Sequence, residues 1–158
     1  MARLQALLLL ALALCQQATA EPILKRDDGR NSFELARIDC QETPYGWERT
    51  SVKPIAKAIV SIDKTKGKPV NRAAPTNCSR VSCKDNAGIW WCNHDSASKM
   101  LESYHLIADG VRRILWECPR TTWRRDQYIY GQAFNAGNWS VIVRQDSCEP
   151  FEGVTKLA

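Results

Sequence analysis

Beyond its first twenty residues, the chain contains no apolar run that approaches the roughly 20 residues a membrane-spanning helix requires. It has no internal repeat and no low-complexity tract, which sets aside solenoid and fibrous architectures. Histidine is scarce: His94 and His105 are the only two. There is no Gly-x-Ser-x-Gly elbow, no glycine-rich phosphate loop and no His-Glu-x-x-His zinc motif. Serine-hydrolase, nucleotide-dependent and zinc-protease chemistries therefore lack their residues, and no metal or cofactor is expected. The charge imbalance is small too, too small for the concentrated basic footprint of a dedicated nucleic-acid binder.

What is present begins with a leader. Arg3 gives a positive start, Leu7–Leu14 is a short Leu/Ala run, and Ala18-Thr19-Ala20 is a small-residue cleavage site, so residues 1–20 read as a secretory signal peptide. Lys25-Arg26 then offers a dibasic processing site that would release a propeptide, 21–26, and leave 27–158 as a single disulfide-rich domain. Removing residues 1–26 lowers the basic count from 22 to 19 and the acidic count from 17 to 16, a net charge of +3. Roughly 130 residues is enough for one buried core. A secreted, extracellular monomer is expected.

Cysteine is the sharper signal. Cys15 leaves with the leader, and Cys40, Cys78, Cys83, Cys92, Cys118 and Cys148 remain. An even set in an oxidising compartment reads as three disulfides in any of the fifteen pairings, with no thiol left for catalysis or metal binding. Cys40 and Cys148 bracket the fold, and we expect them to pair. That closure would remove denatured-state entropy worth about 4–5 kcal/mol.

The periodicities divide the domain between helix and strand. Ser103 to Cys118 carries Leu101, Tyr104, Ala108, Val111, Leu115 and Cys118 at helical spacing, with Arg112, Arg113 and Glu117 off that stripe. Gly110 inside it suits close packing against a sheet. Val52, Ile55, Ile59 and Ile62 form a second stripe, with Ser51 as the capping residue, Pro54 in the first turn, and Lys53, Lys57 and Lys64 on the wet side. Ser32–Asp39 reads as a strand, with Phe33 and Leu35 on one side and Ala36 and Ile38 on the other. Ala87–Asn93 reads as a central strand around Ile89-Trp90-Trp91-Cys92. Gln127–Phe134 and Asn138–Gln145 read as a hairpin joined by Asn135-Ala136-Gly137, with Trp139, Val141 and Val143 on its apolar face. Lys64 to Asn77, broken by Gly67, Pro69 and Pro75, reads as a long loop. The fold class is therefore α+β: an antiparallel sheet with two helices on one face, a disulfide-stabilised α/β sandwich.

Ile89-Trp90-Trp91-Cys92-Asn93, Ile107-Ala108-Asp109-Gly110 with the later Cys118, and Gly131-Gln132-Ala133-Phe134 followed by Asn138-Trp139-Ser140-Val141-Ile142-Val143 together resemble a group of small secreted fungal proteins. These are the virally encoded killer toxins of smut fungi and extracellular effector proteins with related cysteine patterns. The likeness is best over 87–148. It implies the same two-helix, one-sheet sandwich and a non-enzymatic role, with toxins of this kind acting on ion channels and effectors on host plants or competing microbes.

Three functions follow as expectations. The first is an effector-like or killer-toxin-like protein that binds an extracellular or host target without catalysis. The second is a ribonuclease-like hydrolase drawing on His94, Glu102, His105 and Arg112, where Glu102 and His105 share a face if the helix begins early enough. The third is a cell-wall polysaccharide-binding module using Trp47 or Trp123. A candidate binding patch gathers Arg112, Arg113, Arg120, Trp123, Arg124 and Arg125, with Trp116 nearby. Asn77-Cys78-Ser79 and Asn138-Trp139-Ser140 are formal glycosylation sequons, the first with a bridged cysteine at its centre and the second expected inside a strand.

Overall fold

The computed structural model describes residues 33–40, 46, 48–74, 77–118, 120, 121 and 127–149. The chain divides into two units, Met1–Arg30 and Asn31–Ala158, and every described residue belongs to the second. The expected leader (residues 1–20), Lys25-Arg26, Trp47, Trp123, Arg124 and Arg125 lie outside the described residues, and Arg120 is described in its backbone alone.

Among the described residues, twelve elements follow one another. In order they are β1 (Leu35–Asp39), β2 (Thr50–Ser51), α1 (Val52–Lys64), β3 (Val70–Asn71), β4 (Cys78–Lys84), β5 (Ala87–Asn93), β6 (Lys99–Met100), α2 (His105–Glu117), β7 (Arg120–Thr121), β8 (Gln127–Ile129), β9 (Gly131–Asn135) and β10 (Trp139–Gln145). The main sheet has five strands in the order β1-β9-β10-β5-β4, antiparallel throughout. The described residues also form a three-stranded β2-β8-β7 sheet and a β3-β6 pair.

Alternation decides which side of the main sheet is buried. Trp139, Val141 and Val143 of β10 face the same way as their neighbours Trp91 and Ile89 of β5 and Ala133 of β9. They join Ile55, Ile59 and Ile62 of α1 and Ile107, Val111 and Ile114 of α2 in one core. Both helices therefore cover one face. The buried arc of α2 is wider than the expected stripe, taking in Leu106, Ile107, Gly110 and Ile114. The reason is that α2 packs on α1 as well as on the sheet.

Gly110 sets how closely α2 can approach. A Cβ there would lie 2.8 Å from both Phe33 Cε2 and Val141 Cγ2, and Phe33 is itself fixed edge-on against Trp139 with ring centroids 5.0 Å apart.

Several local expectations change. The pairing of β1 shifts between Leu35 and Arg37, so Leu35 and Ile38 both pack against the core despite their opposite parity. Ser51 has the extended backbone of an N-cap but makes no side-chain capping bond; its backbone is held by pairing with Tyr128 in β8. The 127–134 strand is broken at Tyr130, and its first half joins the small sheet. Cys78–Lys84, not foreseen as a strand, pairs with β5 through a two-residue turn in which Asp85 and Asn86 both have positive φ (52° and 57°). That is the geometry of a type I′ hairpin.

The disulfides join Cys40 to Cys118, Cys78 to Cys92 and Cys83 to Cys148. The expected Cys40–Cys148 pair is thus incorrect. The end of β1 lies beside the end of α2, so Cys40 bridges sheet to helix, while Cys148 follows β10 back to the β4 edge. No described helix is long and apolar enough to cross a membrane.

Candidate functional site

The charged side chains between the helices form a closed ring. Asp63 near the end of α1 accepts from His105 Nδ1 at 2.8 Å and from Arg112 Nη2. Asp109, one turn along α2, meets His105 Nε2 at 3.3 Å and accepts from Arg112 Nη1 at 2.7 Å. Two carboxylates alternate with an imidazole and a guanidinium, and the spacing that allows it is helical: 105, 109 and 112 lie on one side of α2. Burial raises the Asp63 carboxyl, but the hydrogen bonds from Arg112 and His105 outweigh it and hold the group below its ordinary value. Burial likewise opposes the Arg112 charge, and Asp63 and Asp109 outweigh that and push the guanidinium above its usual range.

This ring bears on the hydrolase expectation. Both nitrogens of His105 face carboxylates, so neither is open to a substrate proton unless one of those contacts breaks. Glu102 stands apart: α2 begins at His105, and Glu102 pairs instead with Lys68 at 2.5 Å. His94 lies elsewhere, one residue past the end of β5. The structure thus brings Arg112 and His105 together, with Asp63 rather than Glu102 as their carboxylate, and leaves His94 out.

Of the expected arginine patch, Arg113 is exposed on α2 with Trp116, which is 82 % exposed, one turn away. Arg112 belongs to the ionic ring and is not available to the patch in the same way.

A second group of cations lies on the sheet face opposite the helices, a face that no motif in the sequence marks. There Arg37 of β1 stands over the Phe134 ring of β9 at 4.1 Å, and the His94 ring stacks on Phe134 at 5.7 Å between centroids. Arg144 of β10 and Arg80 of β4 approach the Trp90 ring at 5.3 and 5.9 Å. Trp90 Nε1 donates to Asp146 at 2.9 Å, which fixes the indole, and Arg80 pairs with the same carboxylate. The register explains the grouping, since Arg37 pairs with Phe134 and Arg80 with Trp90 as direct neighbours on adjacent strands. Only the alternation of Trp90, Cys92 with Ile142, Arg144 signalled this face, and it needed the strand order to assemble.

Between the two aromatic clusters lies a polar joint. Gln132 Nε2 donates to Ser140 Oγ at 2.8 Å, leaving the hydroxyl proton to donate to His94 Nε2, also 2.8 Å away. Partial burial pushes the His94 imidazole below its ordinary value, and the nearby Asp95 charge opposes this only in part. A neutral imidazole with its proton on Nδ1 fits that arrangement. Ser140 is fully buried, so its hydroxyl serves this network and is not an accessible nucleophile. Among the described residues, no group of three or more His, Cys, Asp and Glu side chains is placed to hold a metal ion.

No protein-family model, curated protein or solved structure matches this chain. Its function must therefore be argued from these residues.

Proposed function

We propose that this chain is an exported protein of effector or killer-toxin type that acts by binding an extracellular target, without catalysis. The observation that carries the reading is the closure of Cys40, Cys78, Cys83, Cys92, Cys118 and Cys148 into three bridges. Such a framework belongs to oxidising exteriors, where a small domain needs covalent support. The leader-like residues 1–20 and the likeness of 87–148 to secreted fungal proteins support the same reading.

The surface best suited to contact is the outer sheet face. Arg37 and Arg144 give it positive charge beside the Phe134 and Trp90 rings, while the Arg80 charge is met by Asp146, so an acidic partner surface is the complementary one. Purified, oxidised protein applied to plant tissue and to competing microbes should produce a response or capture a partner, and Arg37→Glu with Arg144→Glu should weaken that capture at least tenfold. Absence of any response and of any captured partner refutes the proposal.

A ribonuclease-like reading would rest on the meeting of Asp63, His105 and Arg112. RNA left intact by the folded protein removes it, and degradation abolished by His105→Ala would establish it.

A further inference from the structure

The chain contains two sequons, and the fold treats them in opposite ways. Asn77 is buried, 8 % exposed, and its backbone carbonyl accepts from Asn93 N at 3.1 Å. The residue at the centre of its sequon, Cys78, is bridged to Cys92 directly across the β4–β5 pair. Asn138 instead closes the three-residue tip between β9 and β10, where Asn135 and Trp139 are the last paired residues. It is exposed and has φ +58°, a conformation asparagine tolerates better than most residues. The strand expected to contain it starts one residue later.

We propose that Asn138 carries an N-linked oligosaccharide and that Asn77 does not. In the transfer, Asn138 Nδ2 bonds to the anomeric carbon of a lipid-diphosphate-linked oligosaccharide. The lipid diphosphate leaves with the electron pair of the broken bond, and one of the two amide protons passes to the transferase's base. The product is a secondary amide that keeps one N–H. The Asn138 side chain is a hydrogen-bond partner of the partly exposed Asp95 carboxylate, and the remaining N–H can continue to make that bond. A sugar rooted there meets solvent, because residues 136–138 are all exposed.

At Asn77 the same modification conflicts with the fold. Transfer precedes folding, so both sequons are reachable at that stage. A chain modified at Asn77 must then bury the root of a large polar sugar beside the Cys78–Cys92 bridge, and it does not reach the native state. The folded, exported population is left with one glycan. The backbone bond from His94 N to Asn138 O, 3.0 Å, places that glycan at the rim of the outer sheet face, next to the Phe134 cluster.

This inference rests on the export reading, and the experiment separates the two. The full chain is expressed in yeast twice, once with its own N-terminus and once with a yeast leader placed before Met1. Protein from the medium is treated with peptide:N-glycosidase and its intact mass and tryptic peptides are measured. The expected result is loss of one glycan, with Asn138 converted to Asp. Asn138→Gln should abolish the shift completely and Asn77→Gln should leave it unchanged. Absence of the native-leader form from the medium counts against export alone. A leader-fused protein secreted without a glycan, or with its glycan on Asn77, overturns the assignment.

Discussion

Removing the bridge between Cys40 and Cys118 should be the most damaging single change to the covalent framework. The two residues are 78 apart in sequence, against 65 for Cys83–Cys148 and 14 for Cys78–Cys92. In the chain-entropy model these separations correspond to about 4.5, 4.3 and 3 kcal/mol of stabilisation at 25 °C. Position widens the gap. Cys78 and Cys92 sit directly opposite on strands that are already hydrogen-bonded, whereas Cys40–Cys118 ties the end of β1 to the end of α2. Cys118 is also buried against Gly131, where an added Cβ would lie 2.9 Å from its sulfur, so truncation there costs packing as well. Against a typical domain stability of about 5–15 kcal/mol, the loss is a large fraction of the total. Paired substitutions avoid free thiols: Cys40→Ala with Cys118→Ala, compared with Cys78→Ala and Cys92→Ala, each followed by urea unfolding and a thermal scan. The first pair should lower Tm by on the order of 15 °C, and the second by less. An equal or larger loss from the Cys78/Cys92 pair would refute the reasoning, and peptide mapping that found Cys40 joined to Cys148 would remove its basis.

Other changes test other parts of the structure. Gly110→Ala, which at an open helix position would stabilise by about 1 kcal/mol, should here destabilise by about 1–2 kcal/mol because the new methyl meets Phe33 and Val141; urea midpoints decide the sign. Because the folded pKa of Asp63 lies below its unfolded value of 3.8, its contribution to stability is present above pH 3.8 and disappears as pH falls through the lower folded value. Asp63→Asn should therefore be less stable than the parent at neutral pH and flatter with pH in that acid window, as measured by unfolding at a series of pH values. An NMR titration should place His94 below the ordinary histidine value of 6.5, and Phe134→Ala, which removes its stacking partner, should move it upward. A His94 value at or above 6.5 in the parent contradicts the neutral imidazole inferred from Ser140 and Gln132.

Patterns that repeat within one element are legible in the amino-acid sequence alone. The Ile55, Ile59, Ile62 stripe, the helix over most of 103–118, the strand at 87–93 and the alternation of Trp139, Val141 and Val143 all appear where their periods place them. Each depends only on which residues recur at the spacing of a helix turn or a pleat. The candidate sites are less legible. His105 and Arg112 lie close enough along the chain for a shared face to be anticipated, but their main carboxylate, Asp63, is 42 residues from His105 and on another helix. The seven residues of β4 carry too little apolar signal to stand out from a loop, and only pairing with β5 makes them a strand.

The sequence by itself determined that two amphipathic helices would need an apolar sheet face, and that the six cysteines from Cys40 onward were available to brace it, because both follow from local spacing and composition. Strand order decided everything that depends on neighbours far apart in the chain. Placing β9 beside β1 and β10 beside β5 put Arg37 over Phe134 and Arg144 near Trp90, while helix packing brought Cys118 to Cys40. Composition cannot encode such partnerships, since it is the closing of long loops onto one particular register that chooses them.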